Sequence, residues 1–165
     1  MKKKTEFIAR SAITAALYVV LTLLSYPLSY GMVQFRVSEL MTLLVWFDPS
    51  YIPGLLVGCA LANLFGTGGV VDMVFGTLAS AFAFFLMVIF RKIKNEKLSL
   101  FLSSICPALS SFIIAAEMRF ATGAEESFWI WFMYIALGEL AVVTVAGCPL
   151  ALYLKKKYFV KKEGR

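Results

Sequence analysis

No histidine occurs among the 165 residues, and the three cysteines, Cys59, Cys106 and Cys148, stand far apart in apolar runs without a CxxC pair. Zinc, haem and redox-thiol chemistry therefore lack their usual ligands, and buried, inert thiols are the expectation. No metal site and no cofactor are expected. Charge is also scarce: 16% of the residues are charged, against about a quarter in soluble domains. No GxxxxGK[ST] loop is present, because Gly66-Thr67-Gly68-Gly69 is a short glycine turn without the lysine; ATP cannot be held by that route. Nucleophile–base motifs and metal triads are missing too, so the chain is not expected to be an enzyme.

What remains is apolar. Hydrophobic residues make up 61% of the chain and the mean hydropathy is +0.82. One small core cannot hide that much apolar surface, so lipid must cover much of it. Four runs, 7–26, 70–90, 98–118 and 128–154, are each long enough to cross a bilayer, which takes about 20 residues. The first follows a basic start, but it exceeds a signal-peptide core and no small-x-small cleavage site follows, so it is expected to stay as a span. Between the first two runs lies 37–65, broken by Asp48-Pro49 and Pro53 into 37–47 and 51–65. As an α-helix the piece 37–47 would rise only about 16 Å, half the hydrocarbon thickness.

Fourteen of the sixteen lysines and arginines fall in three clusters: Lys2 to Arg10, Arg91 to Lys97, and Lys155 to Arg165. Each flanks a long apolar run. The net charge of +6 is therefore the mark of cytoplasmic membrane flanks rather than of a nucleic-acid groove. With all three clusters inside, 37–65 must start and finish on the outer side. It is then a hairpin of two short helices turning at Asp48-Pro49, or a re-entrant loop. The expectation is an all-α integral membrane protein, residues 1–165 forming a single membrane domain. It has six transmembrane helices, the second and third short, both termini cytoplasmic, and 155–165 as a basic cytoplasmic tail.

Charged groups near a bilayer centre cost roughly 2.5–3.5 kcal/mol each, so their positions carry information. In this topology Gln34, Arg36 and Glu39 stand at the outer start of the second span, Asn63 near the outer end of the third, and Asp72 at the outer start of the fourth. Glu117 and Arg119 close the fifth on that side, and Glu139 lies near mid-membrane. Arg36, Glu117, Arg119, Glu125 and Glu126 can also be read as interfacial charges, and Arg36 with Glu39 as an i,i+3 ion pair. Together these groups, with aromatics such as Tyr30, Phe35 and Trp129, suggest an outward-opening cavity for a small planar polar solute. Small residues at Ala12 and Ala16, at Gly54, Gly58 and Ala62, and at Ala79 and Ala83 mark close helix packing or a partner-docking face.

The block Val33-Gln34-Phe35-Arg36-Val37-Ser38-Glu39, with Phe47-Asp48-Pro49, Ile52-Pro53-Gly54-Leu55, Ala62-Asn63-Leu64-Phe65-Gly66 and Asp72-Met73-Val74-Phe75-Gly76-Thr77-Leu78-Ala79, closely resembles the QueT family of queuosine-precursor transporters. Gly138-Glu139 fits the same pattern, and the resemblance runs from about Ala9 to Leu154. These are substrate-binding S-components of energy-coupling factor (ECF) transporters. The resemblance implies a six-helix subunit of a bacterial cytoplasmic membrane that captures a 7-deazaguanine base from outside. An ECF transmembrane coupling protein and two ATPase subunits would then drive release inside. It implies that Ala12 and Ala16 dock the coupling protein. The candidate substrate-binding residues are Gln34, Arg36, Glu39, Asn63, Asp72, Glu117 and Glu139, with Glu39, Asp72 or Glu139 expected to accept the guanine-like N–H and amino edge. A departure is Ser110-Ser111, where the family pattern has an asparagine four residues after the proline at 107; this leaves open which base, or which other vitamin or nucleobase, fits. The rival readings are an autonomous carrier with Glu139 or Asp72 as its proton site, an intramembrane enzyme on lipid or isoprenoid phosphate, and a ligand-free structural or assembly protein.

Overall fold

The computed structural model describes residues 2–30, 33–66 and 68–159. All regular structure among them is helical. Four helices are long and apolar enough to cross a bilayer: α1 (Lys2–Leu24), α4 (Val70–Phe90), α5 (Glu96–Ala121) and α6 (Phe128–Lys157). Two shorter ones, α2 (Val37–Phe47) and α3 (Pro49–Leu64), stand between α1 and α4. A single turn, Tyr26–Ser29, follows α1.

Local chemistry sets the helix starts. Pro49 and Pro53 each occupy the first turn of a helical segment, where a missing N–H costs nothing. Asp48 Oδ1 caps the first of these by accepting from Ser50 N at 2.9 Å. Asn95 caps α5 by accepting from Leu98 N at 3.2 Å, and Ser127 caps α6 by accepting from Ile130 N at 3.4 Å. Helix α2 opens as a 3-10 helix over Val37–Leu43 and becomes α-helical over Leu44–Phe47. The steeper 3-10 rise of about 2.0 Å per residue stretches the segment to about 20 Å instead of about 16 Å.

Helix α1 packs on α3, α3 on α4, α4 on α5 and α5 on α6, while α2 touches α1, α4 and α6. Close approach of α1 and α3 depends on glycine. A Cβ at Gly54 would lie 2.6 Å from Ser11 O, and one at Gly58 would lie 2.8 Å from Tyr18 Cβ. Ala12 and Ala16 are off this face and exposed. The apolar core gathers Leu43, Val45, Leu55, Phe84, Met87, Leu100 and Val143 around the second half of α2. Leu24, Phe85, Phe101 and Val145 are among many large apolar side chains left exposed on the outside, as expected of a lipid-facing surface.

One face of α6 carries a four-residue stride. Ile135, Glu139, Val143, Gly147 and Ala151 are all buried, and Lys155 follows at the same interval, its ammonium 5.3 Å from the centre of the Trp46 ring. In a pure α-helix a step of four overshoots one turn by about 40°. A π-helical stretch at Leu140–Ala146 turns less per residue and offsets part of the drift.

The basic clusters meet at one end of the bundle. Arg10 pairs with Asp48 at 3.1 Å and donates to Ser50 Oγ at 2.5 Å. Arg91 donates to Trp46 O and Phe47 O, and Lys155 pairs with Glu96 at 2.7 Å. Hydrogen bonds from Ser50, side chain and backbone, and the Arg10 guanidinium hold the Asp48 carboxyl below its usual range. Stability from this cap is therefore fully present above the ordinary aspartate value of about 3.9, and is lost as pH falls through the lower folded value. With side chains 37% and 46% exposed, the Arg10–Asp48 pair is expected to contribute under about 1 kcal/mol. Melting curves of Asp48→Asn should show that small loss near neutral pH and a flattened acid limb; an unchanged acid limb would dissociate the cap from acid sensitivity.

Candidate functional site

Away from the basic end, α2 is lined with polar groups that would be costly to bury singly. Ser38, Glu39 and Thr42 are all buried, as are Gln34 and Arg36 in the extended stretch before it. The C-terminal half of α1 holds them. Tyr18 Oη donates to Glu39 Oε1, and Thr22 Oγ1 donates to Ser38 Oγ at 2.6 Å. Arg36 donates from Nε to Ser29 O at 3.2 Å and from Nη1 to Asn63 Oδ1 at 2.9 Å, with its guanidinium 5.4 Å from the centre of the Tyr30 ring. Asn63 Nδ2 in turn donates to Cys59 Sγ, which lies 3.2 Å from Ser80 Oγ. A hydrogen-bonded chain thus runs from the α2 entry through α3 to α4.

Gln34, Arg36, Glu39 and Thr42 form one wall of an internal cavity. Gly76, Ser80 and Phe84 of α4, Pro107, Ser110 and Ser111 of α5, and Ile135 and Glu139 of α6 form the others. The cavity offers about 30 Å³ to water centres, room for roughly two waters. Two glycines let the walls close. A Cβ at Gly138 would lie 2.7 Å from Gln34 O, and one at Gly76 would collide with the Asn63 amide. Ser110 and Ser111, both in the wall, donate to Pro107 O at 2.8 and 3.3 Å. Glu139 Oε2 is buried with no hydrogen-bond partner.

Of the residues singled out in the sequence, Gln34, Arg36, Glu39 and Glu139 come together in this cavity, and Asn63 stands directly behind Arg36. Asp72 and Glu117 are brought against each other elsewhere, outside the cavity lining. Asp72 Oδ2 accepts from Gly68 N at 2.7 Å, while Asp72 Oδ1 and Glu117 Oε1 are buried where the two carboxyls face each other. Glu117 is thus not an interfacial charge touching water: it is 1% exposed. Arg36 feels Glu39, Glu139 and Glu117, so several buried carboxyls share one buried cation.

Three expectations need correction. Among the described residues Arg36 and Glu39 form no ion pair, because Arg36 turns to Ser29 and Asn63 and Glu39 to Tyr18. Phe35 and Trp129 lie outside the cavity and are exposed, and its aromatic wall is Phe84. Tyr30 serves the site indirectly, stacking on Arg36 and donating to Ala62 O at 2.5 Å. Tyr18, Thr42 and Ser80 went unnoticed in the sequence, since a single hydroxyl in an apolar run carries no spacing signal.

The groups around the cavity match a small planar solute in kind: carboxyl groups for its N–H donors, a guanidinium and amide near its acceptors, a phenyl ring for a face. The family model described as QueT transporter matches residues 8–156. A curated relative, the Queuosine precursor transporter QueT of Lactococcus lactis subsp. cremoris (strain MG1363), is 34% identical over 149 residues, covering 85% of this chain and 87% of the relative. No solved structure matches. On the extent of both matches, this chain belongs to the QueT transporter family.

Proposed function

We propose that the chain is the membrane-embedded substrate-binding subunit of an ECF-type importer, capturing a queuosine precursor, a 7-deazaguanine base, from outside the cell. In this reading all six helices cross a bacterial cytoplasmic membrane, and the end bearing Arg10, Arg91 and Lys155 faces the cytoplasm, where basic flanks belong. The observation that carries the substrate reading is Glu139: one carboxylate oxygen, buried and unpartnered, faces a cavity that also holds Glu39. A guanine-like edge presents an N–H and an amino group side by side, matching a carboxylate. Glu139 takes that edge, Arg36 and Gln34 meet the ring carbonyl and ring nitrogen, and Phe84 covers the face. Glu39 accepts an aminomethyl cation where the base carries one. Ala12 and Ala16, exposed on α1, supply the docking face for a transmembrane coupling protein. Two ATPase subunits supply the energy for which this chain has no nucleotide loop.

The cavity as it stands is too tight for a bicyclic base, so capture includes movement of a wall. The test is calorimetry of the purified chain with 7-aminomethyl- and 7-cyano-7-deazaguanine. Glu139→Gln and Glu39→Gln are expected to weaken binding at least about tenfold, the worth of a charged hydrogen bond, and Asp72→Asn less. Parent-like affinity in all three variants would remove this site. A second reading, an autonomous proton-coupled carrier, draws on the buried, facing carboxyls of Asp72 and Glu117. It requires uptake by this chain alone in liposomes with an imposed proton gradient, which the importer reading forbids.

A further inference from the structure

A second and larger cavity, about 350 Å³, opens at the basic end, beyond the polar cluster of α2. Its walls are Trp46 and Phe47 at the end of α2, Arg91, Ile93 and Lys94 after α4, Glu96 and Ser99 at the start of α5, and Lys155 of α6. Three cations thus face one anion. Glu96 is taken by Lys155. Arg91 Nε and Nη2 reach Trp46 O and Phe47 O at only 3.3 and 3.4 Å, which leaves guanidinium donors free to turn to a stronger acceptor. Trp46 is fixed, its Nε1 donating to Ser99 Oγ at 3.0 Å, and Ser99 Oγ donating to Phe90 O at 3.0 Å. The result is a cavity with a net positive rim and an apolar indole and phenyl floor.

We propose that this cavity binds the phosphate headgroup of an anionic membrane phospholipid. Arg91 and Lys94 grip the phosphate, and Trp46, Phe47 and Ile93 flank the glycerol and the first acyl carbons. Three observations favour a lipid over a soluble anion. The phosphate-binding groups adjoin apolar floor residues. The cavity lies at the mouth of a helix bundle whose outside is apolar. The same end gathers the positive clusters, which orients it towards the leaflet where anionic lipids are enriched.

The full chain in detergent micelles containing phosphatidylcholine is titrated with phosphatidylglycerol at high salt, which screens exposed charges, and binding is read by native mass spectrometry and by the melting temperature. Lys94→Gln, which touches no fold contact described above, is expected to weaken phosphatidylglycerol binding about fivefold. Arg91→Gln with Lys94→Gln is expected to weaken it about thirtyfold, from about 1 kcal/mol per basic residue. Lys92→Gln with Lys97→Gln removes the same charge from the same connection but not from the cavity wall, and binding should change less than about twofold. Equal losses in both double variants would mean diffuse attraction and overturn the site. Stabilisation by glycerol 1-phosphate or inorganic phosphate matching that by the lipid would overturn the lipid assignment, as would equal retention of phosphatidylcholine.

Discussion

Replacing Arg36 with alanine is expected to lower the stability of the folded chain by about 3–5 kcal/mol, the usual cost of stripping one partner from a buried charge cluster. Arg36 is the buried cation that faces Glu39, Glu139 and Glu117. It is also the joint between three segments, donating to Ser29 O before α2 and to Asn63 in α3 while covering Tyr30. Without it the carboxyl groups face one another across an apolar interior, and Asn63 Oδ1 loses its donor. Lysine keeps the charge but cannot span Ser29 O and Asn63 Oδ1 with a planar fork, so Arg36→Lys should recover only part of the loss. Thermal unfolding in detergent gives the readout. If Arg36→Ala melts with the parent, the guanidinium does not balance the carboxyls.

The largest effect on ligand affinity is expected at a residue with no functional group. At Gly138 an added methyl would stand 2.7 Å from Gln34 O and 3.1 Å from Gln34 C, both backbone atoms that cannot swing aside. Either α6 or the stretch leading into α2 must retreat, and Glu139 moves relative to Arg36 and Glu39. A displacement near 1 Å in a preorganised site can cost about a hundredfold, whereas overpacking costs the fold about 1–3 kcal/mol. Gly138→Ala is therefore expected to bind 7-aminomethyl-7-deazaguanine about a hundredfold more weakly in calorimetry while keeping its helical circular dichroism. Undiminished binding would mean that the approach of α6 to Gln34 does not set the cavity.

The long helices were legible because length and hydropathy are one-dimensional properties: 70–90 needed no knowledge of its neighbours. The polar cluster was legible for a related reason, since carboxyls inside apolar runs are too costly to be incidental. Its division was not. Whether Asp72 and Glu117 share the cavity of Glu39 and Glu139 depends on the rotation of α4 and α5, which spacing alone does not give. The exposed Phe35 and Trp129 failed the same way, as aromatics near helix ends that suit a membrane interface as well as a cavity. In α2, seven residues are too few for the pattern of Ser38, Glu39, Thr42 and Leu43 to separate a 3-10 from an α period. In α6 the four-residue stride was present in the sequence, but an assumed 3.6 period would have wound Lys155 away from Glu139's side.

That stride makes α6 behave as a crankshaft. Glu139 and Lys155 both turn inward from the same shaft, with roughly 24 Å of helix between them, the first in the wall of the polar cavity and the second over Trp46. Any twist of the shaft that swings the Glu139 carboxyl swings the Lys155 ammonium in the same sense. A twist of α6 at one end of the molecule would therefore be felt at the other through backbone geometry rather than through a relay of side chains.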